Sequence, residues 1–407
     1  MSTVQQVDRV EGATNVEESE RLVVVIGAGV VGAAIALELA RRGRPTLLLD
    51  RNHAPGHGST AASSAVVRFT YSTVAGTAMA YEGVEYWRTW SDYIGLPDGR
   101  PLTRFVQSGM VFFDDPSGLA RQSLPPLDAV GVAYEWWPLE ELERRLPTLS
   151  TRSWFPPTRP DDPAFFAEPD TRIGGALYTA EAGYVTDPQL AAQNLTDAAL
   201  AAGAQLRCRS EVVAIHRGAT PKGDRVIGVE LAGGERIGCS VVVNASGPHS
   251  SAVNAMAGVL GDMRVSTRAL RQQVEHVRAP RALAEAARAY PACADLDSGM
   301  YFRPDSDAFL VGGVESACDP MVWIDDPDTV ESALDPDEWE AHVMRLARRI
   351  PELGVPHERR GVVGLYDVSD DWLPILDRSD LDGFYMAVGT SRTRAGLSAR
   401  GVPRDRP

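Results

Sequence analysis

Cysteine is scarce in this sequence of 407 residues, which contains four, at positions 208, 239, 293 and 318. None of them forms a C-x-x-C pair or another metal-ligand spacing, so we expect neither disulfides nor a zinc site. Long hydrophobic runs are scarce too. The uncharged stretch Leu22–Leu37 has 16 residues and is bracketed by Arg21 and Glu38, whereas crossing a bilayer takes roughly 20. The sequence therefore predicts no membrane-spanning helix.

Positive charge is in deficit, with 40 Lys and Arg against 55 Asp and Glu, a net charge of −15 and a pI of about 5.0. This balance argues against nucleic acid and anionic membranes as partners, although a few local arginines can still bind an anionic substrate. Residues 1–20 are polar and acidic and lack the apolar segment of a secretory signal, so we expect a disordered lead-in and a cytoplasmic protein.

What the sequence does contain is a glycine-rich βαβ pattern over residues 21–51. A strand pattern, Leu22–Ile26, precedes glycines 27, 29 and 32 in G-x-G-x-x-G spacing; an Ala- and Leu-rich helical stretch follows, then a second strand pattern, Thr46–Leu49, and Asp50. Such glycines permit a tight turn, approach of a pyrophosphate to the helix N-terminus and close helix–strand packing, and the acid can accept a ribose hydroxyl. The pattern predicts a dinucleotide site; a purely structural βαβ unit is the alternative.

The rest of the chain continues as an alternation of strands and helices. Helical patterns cover Tyr81–Trp90, Gln189–Ala202 and Pro336–Arg349, and three alternating runs, Glu211–Arg217, Arg225–Ala232 and Glu235–Ser240, predict a β-meander. Further strand patterns are Phe105–Phe113, Val241–Ala245, Met263–Val277, Gly299–Glu315, Gly361–Leu365 and Phe384–Val388.

Eight segments, in this order, carry a family resemblance: GAGVVG with Asp50, GSTAASSAVVR, AGYVTDP, EVVAI, VVVNASGP, MYFRPDSDAFLVGG, GVVGLYDVSDDWLPIL and FYMAVG. Together they resemble the D-amino-acid-oxidase-type FAD-dependent oxidoreductases, in particular the glycine oxidase and monomeric sarcosine oxidase branch. The resemblance implies an α/β fold of the glutathione-reductase-2-like FAD type. It has a Rossmann-like FAD-binding domain with a β-meander and an α+β substrate domain built on a mixed antiparallel sheet. We assign residues 21–100, 165–262 and 358–407 to the FAD-binding domain, and residues 101–164 and 263–357 to the substrate domain.

The same resemblance implies FAD as the cofactor and a set of residues that would bind it. The glycine turn would hold the pyrophosphate, Asp50 and Arg51 the adenosine ribose, and residues 59–66 would run past the phosphates towards the flavin. The matching positions are Gly27, Ala28, Gly29, Val31, Gly32, Asp50, Arg51, Ser59, Thr60, Ser64, Ala65, Val66, Val213, Ala245, Gly247, Gly364 and Gly389.

Four residues match or lie beside the family's substrate-binding positions. Arg68 matches an arginine that binds the substrate carboxylate, a role that suits the planar fork of a guanidinium, although a solvated surface arginine is the alternative. Tyr301 matches an active-site tyrosine, and Tyr366 would shape the same pocket. Arg303 shares a strand face with Tyr301, and it is equally compatible with a structural ion pair and with a second anion contact.

Three departures from the family pattern qualify the resemblance. Gly364 stands where the branch carries a cysteine that binds flavin covalently, so we expect non-covalent FAD. Leu310 falls near the position of a lysine that helps oxygen react. The segment Arg392–Gly396 departs from the family's closing loop, and a truncated or frame-shifted tail would weaken FAD retention.

These observations lead to one functional hypothesis and two alternatives. The hypothesis is FAD-dependent oxidation of a carboxylate-bearing primary or secondary amine, of the glycine or sarcosine class, with O2 or another electron acceptor as partner. The first alternative is a flavin dehydrogenase that uses another acceptor or oxidises a 2-hydroxy acid, and the second is an inactive FAD-binding scaffold. His249, His276 and Cys318 are isolated in the sequence, and we interpret them as core or surface residues rather than catalytic groups.

Overall fold

The computed structural model describes residues 21–97, 99–221, 223–261 and 263–391. Within these residues the strands are β1 (Val23–Ile26), β2 (Thr46–Leu49), β3 (Val66–Val67), β4 (Phe105–Val106), β5 (Met110–Phe113), β6 (Glu135–Trp137), β7 (Ala176–Thr179), β8 (Gly183–Val185), β9 (Gln205–Arg207), β10 (Val212–Thr220), β11 (Gly223–Leu231), β12 (Arg236–Gly238), β13 (Val241–Asn244), β14 (Thr267–Arg278), β15 (Ala292–Asp295), β16 (Met300–Asp305), β17 (Ala308–Gly313), β18 (Trp323–Ile324), β19 (Gly361–Ser369), β20 (Ile375–Arg378) and β21 (Phe384–Val388). The helices are α1 (Val30–Arg41), α2 (Val74–Arg88), α3 (Trp90–Ile94), α4 (Leu119–Gln122), α5 (Leu124–Val130), α6 (Leu139–Arg145), α7 (Pro188–Ala201), α8 (Ser250–Met256), α9 (Ala284–Ala289) and α10 (Pro336–Arg349).

The first layer is a six-stranded sheet in the order β20-β21-β13-β1-β2-β9. Strand β1 lies between β13 and β2 and runs parallel to both. All four of its side chains are buried because both faces of the sheet are covered. Val23 and Val25 pack towards helices α1 and α7, while Val24 and Ile26 pack towards the three-stranded meander β10-β11-β12.

The second layer is a nine-stranded mixed sheet in the order β18-β14-β17-β16-β15-β5-β7-β6, with β19 paired to β14. One face of it carries the core against α10, where Phe302 and Val311 are fully buried. Because strand side chains alternate, Tyr301 and Gly312, which are register partners on β16 and β17, lie on the opposite face. That face is the one that contacts the loop after β2.

Comparison with the sequence predictions confirms the fold class and most elements. Strand Thr46–Leu49, helix Pro336–Arg349 and strand Phe384–Val388 have the predicted bounds. The prediction of one strand over Phe105–Phe113 was wrong: this stretch forms β4 and β5 in different sheets, because Gly109 turns the chain with a φ of +74°.

The predicted division of the chain into two domains stays a prediction, and two strands of the nine-stranded sheet come from its FAD-binding segments. Strand β19 pairs with β14 along nine residues, and β7 pairs with β5, so both belong to the nine-stranded sheet. The prediction had placed their residues with the FAD-binding segments. The divergent tail after Ser391 lies outside the described residues, and among the described helices none is long and apolar enough to span a membrane.

Candidate cofactor groove and adjoining sheet face

Most of the predicted cofactor residues gather along one edge of the six-stranded sheet. Strands β1, β2, β13 and β21 are mutually parallel, so their carboxyl ends meet at the same edge. That edge presents the glycine turn after β1, Asp50 and Arg51 after β2, residues 245–247 after β13 and Gly389 after β21. In open α/β sheets, the crevice outside the carboxyl ends of the strands is where nucleotides bind.

The glycine turn is closed so tightly that side chains are excluded at two of its positions. Gly27 has a φ of +103°, and a Cβ there would collide with the carbonyl oxygen of Ala245 on the neighbouring strand. A Cβ on Gly32 would collide with the carbonyl oxygen of Gly27. The two glycines therefore let helix α1 start directly against β1, with its N-terminus open towards the groove.

The N-terminus of α1 lacks a side-chain cap from its own N-cap residue, Gly29. The loop after β2 supplies one acceptor: the backbone N–H of Val30 donates to Thr60 Oγ at 3.1 Å. A Cβ on Gly29 would approach the same Thr60 oxygen to 3.2 Å. Backbone N–H groups at a helix start, together with the helix dipole, form a site for phosphate oxygens.

Asp50 is nearly buried and is oriented by two backbone donors. The N–H of Ala28 donates to its Oδ2 at 2.7 Å, and the N–H of Asn52 donates to its Oδ1 at 2.7 Å. Each carboxylate oxygen has two lone pairs, so each can accept one further hydrogen bond. Asp50 is thus anchored to the glycine turn itself and retains acceptors for a ribose hydroxyl.

Arg51 takes part in a charged cluster with a residue that sequence reasoning missed. Its NH2 atom lies 2.8 Å from Asp328 Oδ1, and His249 Nε2 lies 3.0 Å from the same oxygen. Arg51 follows β2 and His249 follows β13, so the two flank the glycine turn after β1. Asp328 belongs to a 3₁₀ turn, Pro327–Thr329, and connects the two sides. Val213, the predicted adenine contact, is 42 % exposed at the start of the meander.

The loop from Ser59 to Arg68 connects the groove to the nine-stranded sheet. Ser59 Oγ donates to the carbonyl of Leu365 on β19 at 2.5 Å. Ala65 adopts a φ of +51° and its carbonyl accepts from the N–H of Val185, while Val66 pairs with Tyr184. A Cβ on Gly364 would approach Ala62 Cβ to 2.6 Å. These contacts place the loop directly against the sheet face that bears Tyr301.

Arg303 is buried on that face, and its guanidinium donates mainly to backbone carbonyl oxygens. Its Nε donates to Ser64 O at 2.6 Å and its NH1 to Pro304 O at 2.7 Å, and its guanidinium lies 4.3 Å from the ring centre of Tyr184. Burial is the main cause of a lowered Arg303 pKa, partly offset by the Asp305 carboxylate. These contacts favour a role in fixing the loop, and Tyr184 is a partner that the sequence did not reveal.

Arg68 lies at the end of the same loop, half-buried. Its NH1 donates to the carbonyl of Thr70, and its guanidinium stacks 4.3 Å from the ring centre of Tyr71. Tyr366 is on the same face of β19 as Gly364, two residues away, and Gly364 contacts the loop. The structure thus brings Tyr301, Arg303 and Tyr366 to the loop-facing side of one sheet, with Arg68 on the loop itself.

Another residue absent from the sequence predictions is Asp367, which is fully buried on β19 next to Tyr366. A single acid inside an otherwise apolar strand pattern was the only signal for it. The three residues judged isolated in the sequence contact polar neighbours: His249 contacts Asp328, His276 lies 3.8 Å from Asp305, and Cys318 Sγ accepts from Arg345 at 3.2 Å.

Comparisons with known proteins identify the family of this chain. Residues 23–400 match the family described as FAD dependent oxidoreductase, and the chain belongs to that family. This confirms the resemblance drawn from the eight segments. The family match supports FAD as the cofactor of this chain.

Among curated proteins, the chain is 27 % identical over 377 residues to human mitochondrial sarcosine dehydrogenase, covering 90 % of this chain and 37 % of that protein. It is 26 % identical over 296 residues to 4-methylaminobutanoate oxidase (formaldehyde-forming) of Paenarthrobacter nicotinovorans, covering 72 % of this chain and 31 % of that protein. The chain thus spans about a third of the length of these relatives.

Solved structures show the same fold at low sequence identity. L-proline dehydrogenase from P. horikoshii superposes with a TM-score of 0.73 at 21 % identity, covering 92 % of this chain and 89 % of that one. Glycine oxidase from Geobacillus kaustophilus superposes with a TM-score of 0.69 at 20 % identity, covering 91 % and 89 %. The predicted fold class is confirmed by these neighbours.

Proposed function

We propose that the protein oxidises a small amine that carries a carboxylate, with non-covalently bound FAD. The observation that carries the proposal is the single loop, residues 59–68, that joins the glycine turn to a sheet face bearing Tyr301 and Tyr366 and ends on Arg68. The names of the relatives support the substrate class, because sarcosine and 4-methylaminobutanoate are both amines with a carboxylate.

The residues of the groove fit FAD by their chemistry. The open N-terminus of α1 suits the pyrophosphate, and Asp50, anchored on the Ala28 N–H, suits the ribose hydroxyls. Bound there, FAD supplies a ring that accepts a hydride from the carbon beside the amine nitrogen. Gly364 offers no side chain for a covalent link, and any Cβ at this position would press on Ala62, which favours dissociable flavin.

In the proposed mechanism the chain's own groups bind and orient the substrate. Arg68 receives the carboxylate through its planar fork, and the stacked ring of Tyr71 restricts the guanidinium to one plane. Tyr301 and Tyr366, which lie on the loop-facing side of the same sheet, would hydrogen-bond the substrate. No side-chain base is required when the neutral amine binds, so positioning supplies most of the rate enhancement.

The decisive experiment substitutes Arg68 by Ala and by Lys and measures steady-state kinetics on sarcosine and on glycine. Losing a charge-assisted bidentate contact removes roughly 1.5–3 kcal/mol of binding, so we expect KM to rise about tenfold to a hundredfold, with Lys intermediate. Arg104→Ala, at an exposed position, is the matched control and keeps its KM. An unchanged KM in Arg68→Ala would refute the anchoring role.

The electron acceptor is the second part of the proposal. Leu310 lies on the loop-facing side of β17, paired in register with Arg303, and the only lysine of the sequence, Lys222, stands between β10 and β11. Leu310 therefore supplies no amine to assist oxygen at that position, which supports an acceptor other than O2 as the alternative to oxidase chemistry. Peroxide yield under air, compared with reduction of a quinone-like dye, separates the two.

A third candidate, an FAD-binding scaffold without catalysis, is tested by the same preparation. The purified protein should be yellow, and acid denaturation should release all of its flavin into the supernatant. A yellow protein that turns over no carboxylated amine with either oxygen or a dye would favour the scaffold, whereas flavin retained in the pellet would contradict non-covalent binding.

A further inference from the structure

Asp367 is a fully buried carboxyl group at the boundary between the two large sheets. Its Oδ1 accepts a hydrogen bond from Ser250 Oγ at 2.7 Å, and its Oδ2 accepts one from the backbone N–H of Gly389 at 2.6 Å. Its own N–H donates to Ser391 Oγ at 2.7 Å. One residue of β19 is therefore bonded both to the start of α8 and to the segment that follows β21.

These partners connect the cofactor groove to the nine-stranded sheet, called here the substrate-facing sheet because its loop-facing side bears Tyr301 and Tyr366. Gly389 follows β21, so it lies at the same carboxyl edge as the glycine turn. On the other side, β19 carries Gly364, which touches the loop after β2, and Tyr366, which is proposed to face the substrate. Asp367 is next to Tyr366 in sequence and points to the opposite side of the strand. Asp367 is thus placed to fix the carboxyl edge at Gly389 relative to strand β19.

No cation balances this carboxylate within the described residues. The Ser250 hydroxyl that bonds it also lies 2.7 Å from the hydroxyl oxygen of Thr267 on β14, which is a neutral group. The nearby charges are directed elsewhere: Arg268 stacks on Trp323, His249 bonds Asp328, and Asp370 accepts from Ser266. Burial without a charged partner raises the pKa of Asp367 to about 6, although Ser250 and Gly389 hold it lower than burial alone would.

We propose that Asp367 is a positioning residue that locks the Gly389–Ser391 segment to β19, and so sets the flavin end of the groove against the substrate-facing sheet. This inference rests on the proposed FAD-dependent function. The lock consists of directed hydrogen bonds rather than charge attraction, because both acceptor oxygens are matched by neutral donors. A neutral side chain of the same shape that preserves the bonds should therefore preserve the lock.

The test compares Asp367→Leu with Asp367→Asn. An asparagine can accept from the Gly389 N–H and donate to Ser250 Oγ, whose hydroxyl can rotate, whereas leucine leaves the buried Gly389 N–H without an acceptor. We expect Leu to weaken FAD binding at least tenfold and to shift the visible flavin spectrum at saturating FAD, while Asn stays within about threefold of wild type. Asp377→Asn, on the exposed edge strand β20, is the matched control.

A second measurement does not depend on FAD. Hydrogen exchange of peptides covering residues 384–391, in the apoprotein, should accelerate at least tenfold in Asp367→Leu and remain near wild type in Asp367→Asn. Unchanged exchange in the Leu variant overturns the inference even if the wild type binds no flavin, in which case the proposed function fails separately. If Leu does not fold, Ser391→Ala removes one bond of the lock, and exchange there should rise about threefold; no rise contradicts the proposal.

The protonation of Asp367 gives an independent signature. Because the pKa of about 6 in the folded protein exceeds the ordinary value near 4, the folded state binds this proton more tightly than the unfolded state. Stability from the protonated group is present below about pH 4 and is lost as the pH rises to about 6. Urea unfolding of wild type should show this loss relative to Asp367→Asn, and identical pH profiles would contradict a buried, locked carboxyl.

Discussion

The glycine turn and the boundary around loop 59–68 border the same groove, but they are built in opposite ways. The turn is made by backbone, that of residues 27–32 and that of Ala245 beside it, and its geometry requires that side chains be missing at Gly27 and Gly32. The boundary is made by side chains that bond across long sequence separations: 239 residues from Arg303 to Ser64 and 306 from Ser59 to Leu365. Under the proposed function, cofactor binding would rely on backbone geometry, whereas substrate geometry would rely on the docking of two sheets.

The largest effect that separates these two designs should come from Gly32→Ala. The added Cβ meets the carbonyl oxygen of Gly27, a backbone atom that cannot move without opening the turn. We expect a loss of about 3 kcal/mol or more in the free energy of unfolding, and loss of FAD binding where the variant folds. Urea unfolding and flavin titration measure the two.

Gly83→Ala provides the matched control for this substitution. Gly83 lies inside helix α2, with open space where its Cβ would be, so alanine should raise stability by about 0.5–1 kcal/mol through helix propensity. If Gly32→Ala behaves like Gly83→Ala, the turn is looser than its geometry implies, and the contrast between the two regions disappears.

The difference in construction also explains what could be predicted from the sequence. The turn, its flanking strands and Asp50 were predicted because their spacing is fixed by local backbone geometry. Tyr301 and Arg303 were placed on one face because strand alternation is a local rule as well. Asp328 and Asp367 were missed, since a single acid far from its partner in sequence carries no periodic signal.

A medium effect should come from Arg303→Met, which tests the construction of the boundary. The substitution removes the donors to Ser64 O and Pro304 O and leaves these carbonyls without their partners. Since hydrogen bonds from a charged group contribute about 1.5–3 kcal/mol, offset by the cost of burying the guanidinium, we expect a net loss of about 2–4 kcal/mol in the free energy of unfolding.

Arg278→Met is the control for this variant, because Arg278 is exposed at the end of β14 and only pairs with Asp307 at the surface; its loss should stay below about 1 kcal/mol. The competing role of Arg303 as a second anion contact predicts another pattern. In that case Arg303→Met would keep its free energy of unfolding. Its KM would rise for iminodiacetate, which carries two carboxylates, but not for sarcosine, which carries one.

The smallest effect concerns the charged cluster that spans the groove. Asp328 contacts Arg51 on one side of the glycine turn and His249 on the other, but all three side chains are partly exposed, so the contact contributes at most about 1 kcal/mol. Asp328→Asn should therefore speed FAD release no more than about fivefold in low salt, and the difference should vanish near 1 M salt, where such pairs are screened.

Stopped-flow flavin fluorescence measures the rate of FAD release, with Glu331→Gln, at an exposed position, as the control. A release rate equal to wild type in low salt would mean that the cluster lies beside the path of the cofactor rather than across it, and that backbone geometry alone retains the nucleotide.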